Sequence, residues 1–389
     1  MAEGTLARWH HTLGQATIVI ERGRRALPSA QGVKRLGAVC SYENHWRSMS
    51  TIEPPDDTLC ASAAPLATML LITFQQSALV REAIHGALAQ TWSPLEIVIS
   101  DDASTDDTWA QIGAAVAGYA GPHRIVLNRN AVNLGIGAHL THVVGLSHGE
   151  MLFIAAGDDV SLPQRCERVM REWLVRDCRP DLIATALTDI DAEGRTHGTL
   201  HPTDLSTYRN AADWLARPPY VVGAAQAWTR RVFERYGPLP AGVVGEDLIM
   251  VFRAIGAGGA FTLAEPLVKY RRGGVSRRVR NLSAHDVVRR AVKSSGAALA
   301  ELPQLLADAL TMGQLPTVQP TLERQLARAR FVHALFAVTG FAPKLRLVLS
   351  AGGVPWGARL RFAVYALCPW LLAPAFLLKR LFSRERGGP

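Results

Sequence analysis

Cysteine is scarce in this chain. Its 389 residues include five, at Cys40, Cys60, Cys166, Cys178 and Cys368, odd in number and never spaced as C-x-x-C. That pattern argues against a disulfide framework or a thiolate zinc centre, and the five read as reduced and buried, in the cytosol. Long apolar runs are also missing near the start, where the longest is "ATIVI", too short for the apolar region of a secretory signal. No internal repeat is present. Acid is in the minority: 42 Lys and Arg stand against 33 Asp and Glu, a formal +9, which favours anionic partners without choosing among nucleotide phosphates, lipid head groups and nucleic acid.

What is present suffices for a real core. The chain is 48% hydrophobic and 19% charged, enough for one large or two ordinary domains. Residues 1–64 are mixed, with basic clusters at Arg22, Arg24, Arg25, Lys34 and Arg35, and read as a poorly ordered extension. Alternation begins at Pro65. "LATMLLITF" (Leu66 to Phe74) has the pattern of a buried strand, "SALVREAIHGALAQ" (Ser77 to Gln90) that of an amphipathic helix with a serine cap, and "LEIVIS" that of a second buried strand. A helix after Asp106, a strand at "RIVLN", a helix over 137–148 and a strand at "EMLFIAA" continue the pattern. Such alternation predicts a parallel sheet with helices on both faces and a ligand crevice beyond the carboxyl ends of its strands.

Carboxylate pairs stand at these ends. Asp101 and Asp102 close the second strand, and Asp158 and Asp159 close the fourth in "MLFIAAGDDVSLPQR". A third pair, Glu246 and Asp247, precedes a helical pattern in "VVGEDLIMVFRAIGAGG". Each has an ordinary structural explanation, because Ser, Thr and Asp cap helices, GDD forms turns, and acids are favoured at helix N-termini. Two pairs at strand ends in one parallel sheet can, however, converge on one ligand. Their hard oxygens suit Mg²⁺ or Mn²⁺, and such a cation completes its shell with water and substrate phosphates. A carboxylate like Asp247 suits a general base. Arg271, Arg272, Arg277 and Arg278 in "LVKYRRGGVSRRVR" suit either a diphosphate clamp or a solvated basic loop. His139 and His142 in "HLTH" have metal-ligand spacing but no partner cluster, and "GIGAHL" lacks the third glycine of a dinucleotide fingerprint. Trp173, Trp214 and Trp228 suit core packing better than sugar stacking.

Taken in order, "ITFQQSALVREAIHGALAQTWSPLEIVISDDASTDDT", "NLGIGAHLTHVVGLSHGEMLFIAAGDD", "GEDL" and "KYRRGGVS" resemble the successive blocks of the inverting, family-two GT-A glycosyltransferases, from Pro65 to Arg278. The resemblance implies an α/β GT-A fold, a Rossmann-like, mostly parallel sheet with helices on both faces, over 65–283, with a helical C-terminal region over 284–389. It implies that Asp102, with Asp101 beside it, contacts the nucleotide base and that Thr73 and Phe74 line the same pocket. Asp158 and Asp159 then hold the metal and diphosphate, Asp247 is the catalytic base, Glu246 binds or orients the acceptor, and Arg271 and Arg272 close over the diphosphate. The implied reaction moves a sugar from a nucleotide-diphosphate donor, a UDP-sugar, to a carbohydrate or lipid-linked hydroxyl with inversion, assisted by Mn²⁺ or Mg²⁺, in cell-surface polysaccharide or glycolipid synthesis; nucleic acid is not an expected partner.

Two departures stand out. Many relatives carry an aspartate where this chain has Ala156, and the Gln-x-x-Arg-Trp signature of processive synthases is absent, which points to one or few sugars per encounter. The rival readings are a nucleotidyltransferase, whose Gly-rich basic loop is missing from "ITFQQSA", and an inactive GT-A-like scaffold at a membrane. Helical patterns fill 284–340. Beyond them, 362–378 is uncharged between Arg359 and Arg361 on one side and Lys379, Arg380, Arg384 and Arg386 on the other, interrupted by Pro369 and Pro374. That combination suits a segment lying in a membrane interface, and so an enzyme peripheral at the inner face of the plasma membrane, with a packed apolar helix and a spanning helix as the alternatives.

Overall fold

A computed structural model describes residues 64–272 and 286–368 in full, and 16–20, 284 and 285 by backbone alone. Cys40, Cys60, Arg277, Arg278 and residues 369–378 of the apolar run lie outside the described residues.

The first half alternates as the apolar spacing predicts: β1 (Ala16–Ile20), β2 (Ala67–Thr73), α1 (Val80–Leu88), β3 (Leu95–Asp101), α2 (Thr108–Val116), β4 (Arg124–Arg129), α3 (Ile136–Gly145) and β5 (Met151–Ala156). After it come β6 (Val160–Ser161), α4 (Arg165–Val175), β7 (Leu182–Ile190), β8 (Thr196–Leu200), α5 (Ala211–Ala216), β9 (Gln226–Thr229), α6 (Arg230–Tyr236), α7 (Glu246–Ile255) and β10 (Ala260–Arg271). The sheet runs β1-β4-β3-β2-β5-β9-β7-β10-β6, with β8 on β7. Strands β4, β3, β2 and β5 are mutually parallel. Because β9 is antiparallel to both β5 and β7, and β10 is parallel to β7, the strands β7 and β10 point the same way as β5. Six carboxyl ends therefore share one edge, at Arg129, Asp101, Thr73, Ala156, Ile190 and Arg271.

Burial follows the strand period of two. Met69, Leu71, Ile97, Ile99 and Phe153 face α1, α2 and α4 in one cluster, while Leu70, Val98, Val126 and Leu152 face α3, α6 and α7 in another. Trp173, Trp214 and Trp228 are core residues. Helix α1 starts later than Ser77, with Leu79 at its cap and no side-chain hydrogen bond there; the Ser77 amide instead donates to Asp106. A five-residue strand at Ala16–Ile20, inside the extension expected to be poorly ordered, pairs antiparallel with β4. Cys166 is buried and free, its thiol pushed up to about 12 by burial; Cys178 and Cys368 are free but only partly buried.

Helices α8 (Ala284–Thr311), α9 (Leu315–Ala337), α10 (Phe341–Ser350) and α11 (Trp356–Leu367) form the C-terminal region. The first two join the main core. Leu302, Leu305, Ala309, Val318 and Leu322 belong to the same apolar cluster as Ile249 and Phe252 of α7. No helix among the described residues is long and apolar enough to cross a membrane.

Candidate active site

The first acidic pair is spent on shaping the rim. Asp101 is fully buried and accepts from the Ser104 amide at 3.0 Å and the Thr73 hydroxyl at 3.3 Å, with the Arg129 guanidinium 3.4 Å away. Asp102 accepts from Asn130 Nδ2 at 2.7 Å and from the amides of Leu134 and Gly135 at 2.9 and 3.0 Å, just ahead of α3. Both carboxylates are thus committed to loop donors, and neither caps a helix, since α2 and α3 have no side-chain hydrogen bond at their caps. Phe74, next to Thr73, is 46% exposed and presents a free aromatic ring at the same edge. His139, buried behind the pair, contacts Ser100 Oγ at 2.6 Å and is held well below its ordinary value, at about 4, by burial; Asp102 opposes that shift.

The second pair sits on a tight turn against the first strand. A Cβ on Gly157 would lie 2.4 Å from Gln76 Oε1 and 2.7 Å from Thr73 Cγ2, so only glycine lets the end of β5 approach β2 this closely. Burial raises the Asp158 carboxyl above its ordinary range, while Arg271 and the Gln76 side chain oppose that rise. Asp159 goes further, to about 8, through burial and then the charge of Asp158. Two hard carboxylates this reluctant to ionise together form a donor set that a divalent cation would relieve. Among the described residues no three His, Cys, Asp or Glu side chains gather as a ligand cluster, so a cation here needs oxygens from substrate and water.

Arg271 does not hang over this site. It is 5% exposed, and its amide donates to Asp159 Oδ1 at 2.8 Å. Its guanidinium reaches the carbonyls of Asp158, Asp191 and Ala192 at 3.0 to 3.1 Å and Glu82 at 2.6 Å. The side chain is a strut in the wall where a flexible clamp was expected, with four of its five N–H donors engaged by the protein. Arg272 is half-exposed and forks onto Asp189, both oxygens 2.8 Å from Nε. Asp189 was not singled out from the sequence, since one acid inside an apolar strand carries no spacing signal.

The third pair opens α7, whose N-cap is Gly245. Glu246 is 6% exposed, and its Oε2 is buried with no hydrogen-bond partner. Gly223 makes room for it, because a Cβ there would stand 2.9 Å from Glu246 Oε1. Burial, then the neighbouring Asp247, raise the Glu246 carboxyl far above the ordinary range. Asp247 is raised to about 6 by burial, with the charge of Glu301 adding to the rise and the Leu248 amide opposing it. Glu301 comes from α8 and accepts from the amides of Val244 and Gly245 at 3.1 and 2.8 Å, gripping the loop that delivers the pair. Nothing in the sequence linked positions more than fifty residues apart.

Buried Arg165 joins the second and third pairs. It donates to the carbonyls of Ile154 and Gln226 at 2.9 and 3.2 Å, and Gln226 Nε2 donates to the Asp247 carbonyl at 3.3 Å. The charge of Asp159 also acts on it. With Thr73 and Gly157 joining the first pair to the second, all three lie in one connected rim.

Residues 68–236 match the model of Glycosyl transferase family 2. An uncharacterised protein of Mycobacterium tuberculosis is 28% identical over 208 residues, 53% of this chain and 58% of its own length. The succinoglycan biosynthesis protein ExoU of Rhizobium meliloti is 29% identical over 134 residues, 34% of this chain and 36% of that protein. The chain therefore spans little more than half of the first and about a third of the second. Among solved structures, S. aureus TarS 1-349 in complex with UDP-GlcNAc aligns with a TM-score of 0.46 at 13% identity, over 77% of this chain and 86% of that one. Over residues 68–236 the chain is thus similar to the glycosyl transferases of family 2.

Proposed function

We propose that this chain transfers a sugar from a nucleotide-diphosphate donor, a UDP-sugar, to a hydroxyl of a carbohydrate or lipid-linked acceptor, with inversion, in cell-surface polysaccharide or glycolipid synthesis. The observation that carries the reading is the convergence of three carboxylate pairs, by separate buried contacts, on one edge of the sheet, in a chain whose residues 68–236 match the family 2 model. The third pair lies beyond the matched residues, so its part rests on geometry alone.

In this reading Thr73, Phe74 and the loops held by Asp101 and Asp102 form the nucleoside pocket, with Phe74 stacking on the base. Asp158 and Asp159 would hold Mn²⁺ or Mg²⁺, which when bound supplies positive charge to the leaving diphosphate. Asp247 takes the proton from the attacking hydroxyl. A carboxyl near 6 suits that task, being ionised at neutral pH yet a stronger base than an ordinary aspartate. Glu246, kept protonated by burial, donates a hydrogen bond to acceptor or sugar, the need its unpartnered oxygen expresses. Arg271 positions Asp159 by holding its turn.

The test is thermal stabilisation by a panel of nucleoside diphosphates with and without Mn²⁺, on the wild type and on Asp158→Ala. Binding to the native state raises the melting temperature by mass action. The reading expects one nucleotide to stabilise strongly only with metal, and Asp158→Ala to abolish the effect. Stabilisation by none of them would leave the acidic pairs as caps and turns.

A further inference from the structure

The positive charge of this chain is concentrated at one end. Residues 324–389 hold eleven Lys and Arg against a single acid, Glu385, leaving 31 basic and 32 acidic residues in the 323 before them. The formal +9 therefore belongs to the C-terminal helices and the tail beyond them. Phosphate binding at the sheet edge does not account for it.

Carboxylates do not neutralise the charge either. Among the described residues, the ion pair reaching furthest along the chain joins Asp308 of α8 to Arg253. Three of the arginines beyond it lie over rings: Arg328 and Arg361 sit 5.4 and 5.1 Å from the centroid of Phe362, and Arg359 sits 4.5 Å from that of Trp356. Arg290, Arg328 and Arg361 line a second groove between α8, α9 and α11, again without an acid.

The same helices leave apolar side chains in the open. Helix α10 buries only Val348, while Phe341, Leu345 and Leu349, four residues apart on one face, are 65%, 38% and 60% exposed. With Ala342, Arg346 and Ser350 they line one shallow concavity. On α11, Trp356 and Leu360 are 55% and 58% exposed. Single exposed apolar residues are ordinary, but a row on a helix face marks a surface that meets something other than water.

We propose that the outer faces of α10 and α11 dock on an anionic lipid bilayer. Phe341, Leu345, Leu349, Trp356 and Leu360 enter the head-group boundary, and Arg346 and Arg361 meet lipid phosphates. Charge complementarity selects this occupant over a second copy, which would set one acid-free basic surface against another. The chain also continues in character, since residues 369–378 are uncharged and four more basic residues lie beyond them. This inference stands apart from the proposed chemistry.

The experiment is flotation of the full-length protein with phosphatidylcholine vesicles, with and without phosphatidylglycerol, at low and high salt. The wild type is compared with Leu345→Asp/Leu349→Asp and Arg346→Glu/Arg361→Glu, and circular dichroism and melting temperature check folding. The wild type is expected to float only with phosphatidylglycerol, less so at high salt. Each basic residue near such a surface is worth about fivefold in partitioning, so the arginine double variant should bind at least about 25-fold more weakly. The aspartate variant should lose binding while keeping its melting temperature and its nucleotide-induced stabilisation. A wild type that stays unbound, or variants that float as well as it does, would overturn the proposal. A dimer in sedimentation that the aspartate variant dissociates, without vesicle binding, would assign the face to a second copy and overturn it equally.

Discussion

Burial and the charge of Glu301 on α8 set the acidity of Asp247. Replacing Asp247 with Asn should leave nucleotide-induced stabilisation intact and lower kcat by about 10²- to 10⁴-fold, the usual worth of a general base. A kcat reduced less than tenfold would remove Asp247 from that role. Its carboxyl is raised to about 6, chiefly by burial, so activity should rise with pH through that value as the base ionises, then level off. Glu301→Gln takes away a nearby negative charge, and the midpoint of the pH-rate profile should move downward. A profile unchanged in Glu301→Gln would leave burial alone as the cause. Glycine matters here by absence of volume: Gly223→Ala places a methyl 2.9 Å from Glu246 Oε1 and should lower transfer more than it lowers nucleotide binding.

At the scale of elements, α7 and α8 act as a pair. Glu301 holds the loop before α7, and Arg253 within α7 forms a buried ion pair with Asp308 of α8, Nε to Oδ2 2.8 Å. Both partners are almost wholly inaccessible, so removing one strands the other's charge in the core. Asp308→Ala should cost about 3 to 5 kcal/mol in urea denaturation, whereas Glu167→Ala, which removes the exposed pair with Arg171, should leave the denaturation midpoint nearly unchanged. Equal effects at the two sites would refute the distinction.

Across the whole molecule, the C-terminal helices divide into two roles. Helices α8 and α9 complete the core under α7, while α10 and α11 pack on α9 in a smaller cluster of their own around Phe331, Val348 and Phe362. A chain ending at residue 283 should be insoluble or lack a cooperative melting transition, because it exposes the apolar faces that Leu302, Leu305 and Val318 cover. A chain ending at residue 339 should melt cooperatively and still respond to nucleotide. Soluble, folded protein from the shorter chain would show that the sheet and its helices do not need α8.

The sequence by itself determined the first half of the fold and the candidate pairs. Strands with buried faces and helices with one apolar stripe write their periods into the chain, and acids that interrupt an apolar run are conspicuous against it. The mixed second half of the sheet left no such trace, since alternation alone predicts parallel strands and β9 runs against both neighbours. Tertiary structure alone decided which polar groups are spent. Arg271 and Asp101 look like ligands in one dimension, yet contacts from residues far along the chain consume them. Arg165, Asp189 and Glu301 look unremarkable in sequence, yet the fold places them at or behind the site. Hydrogen-bond partners and burial are set by proximity in space, and a single sequence records proximity only along the chain.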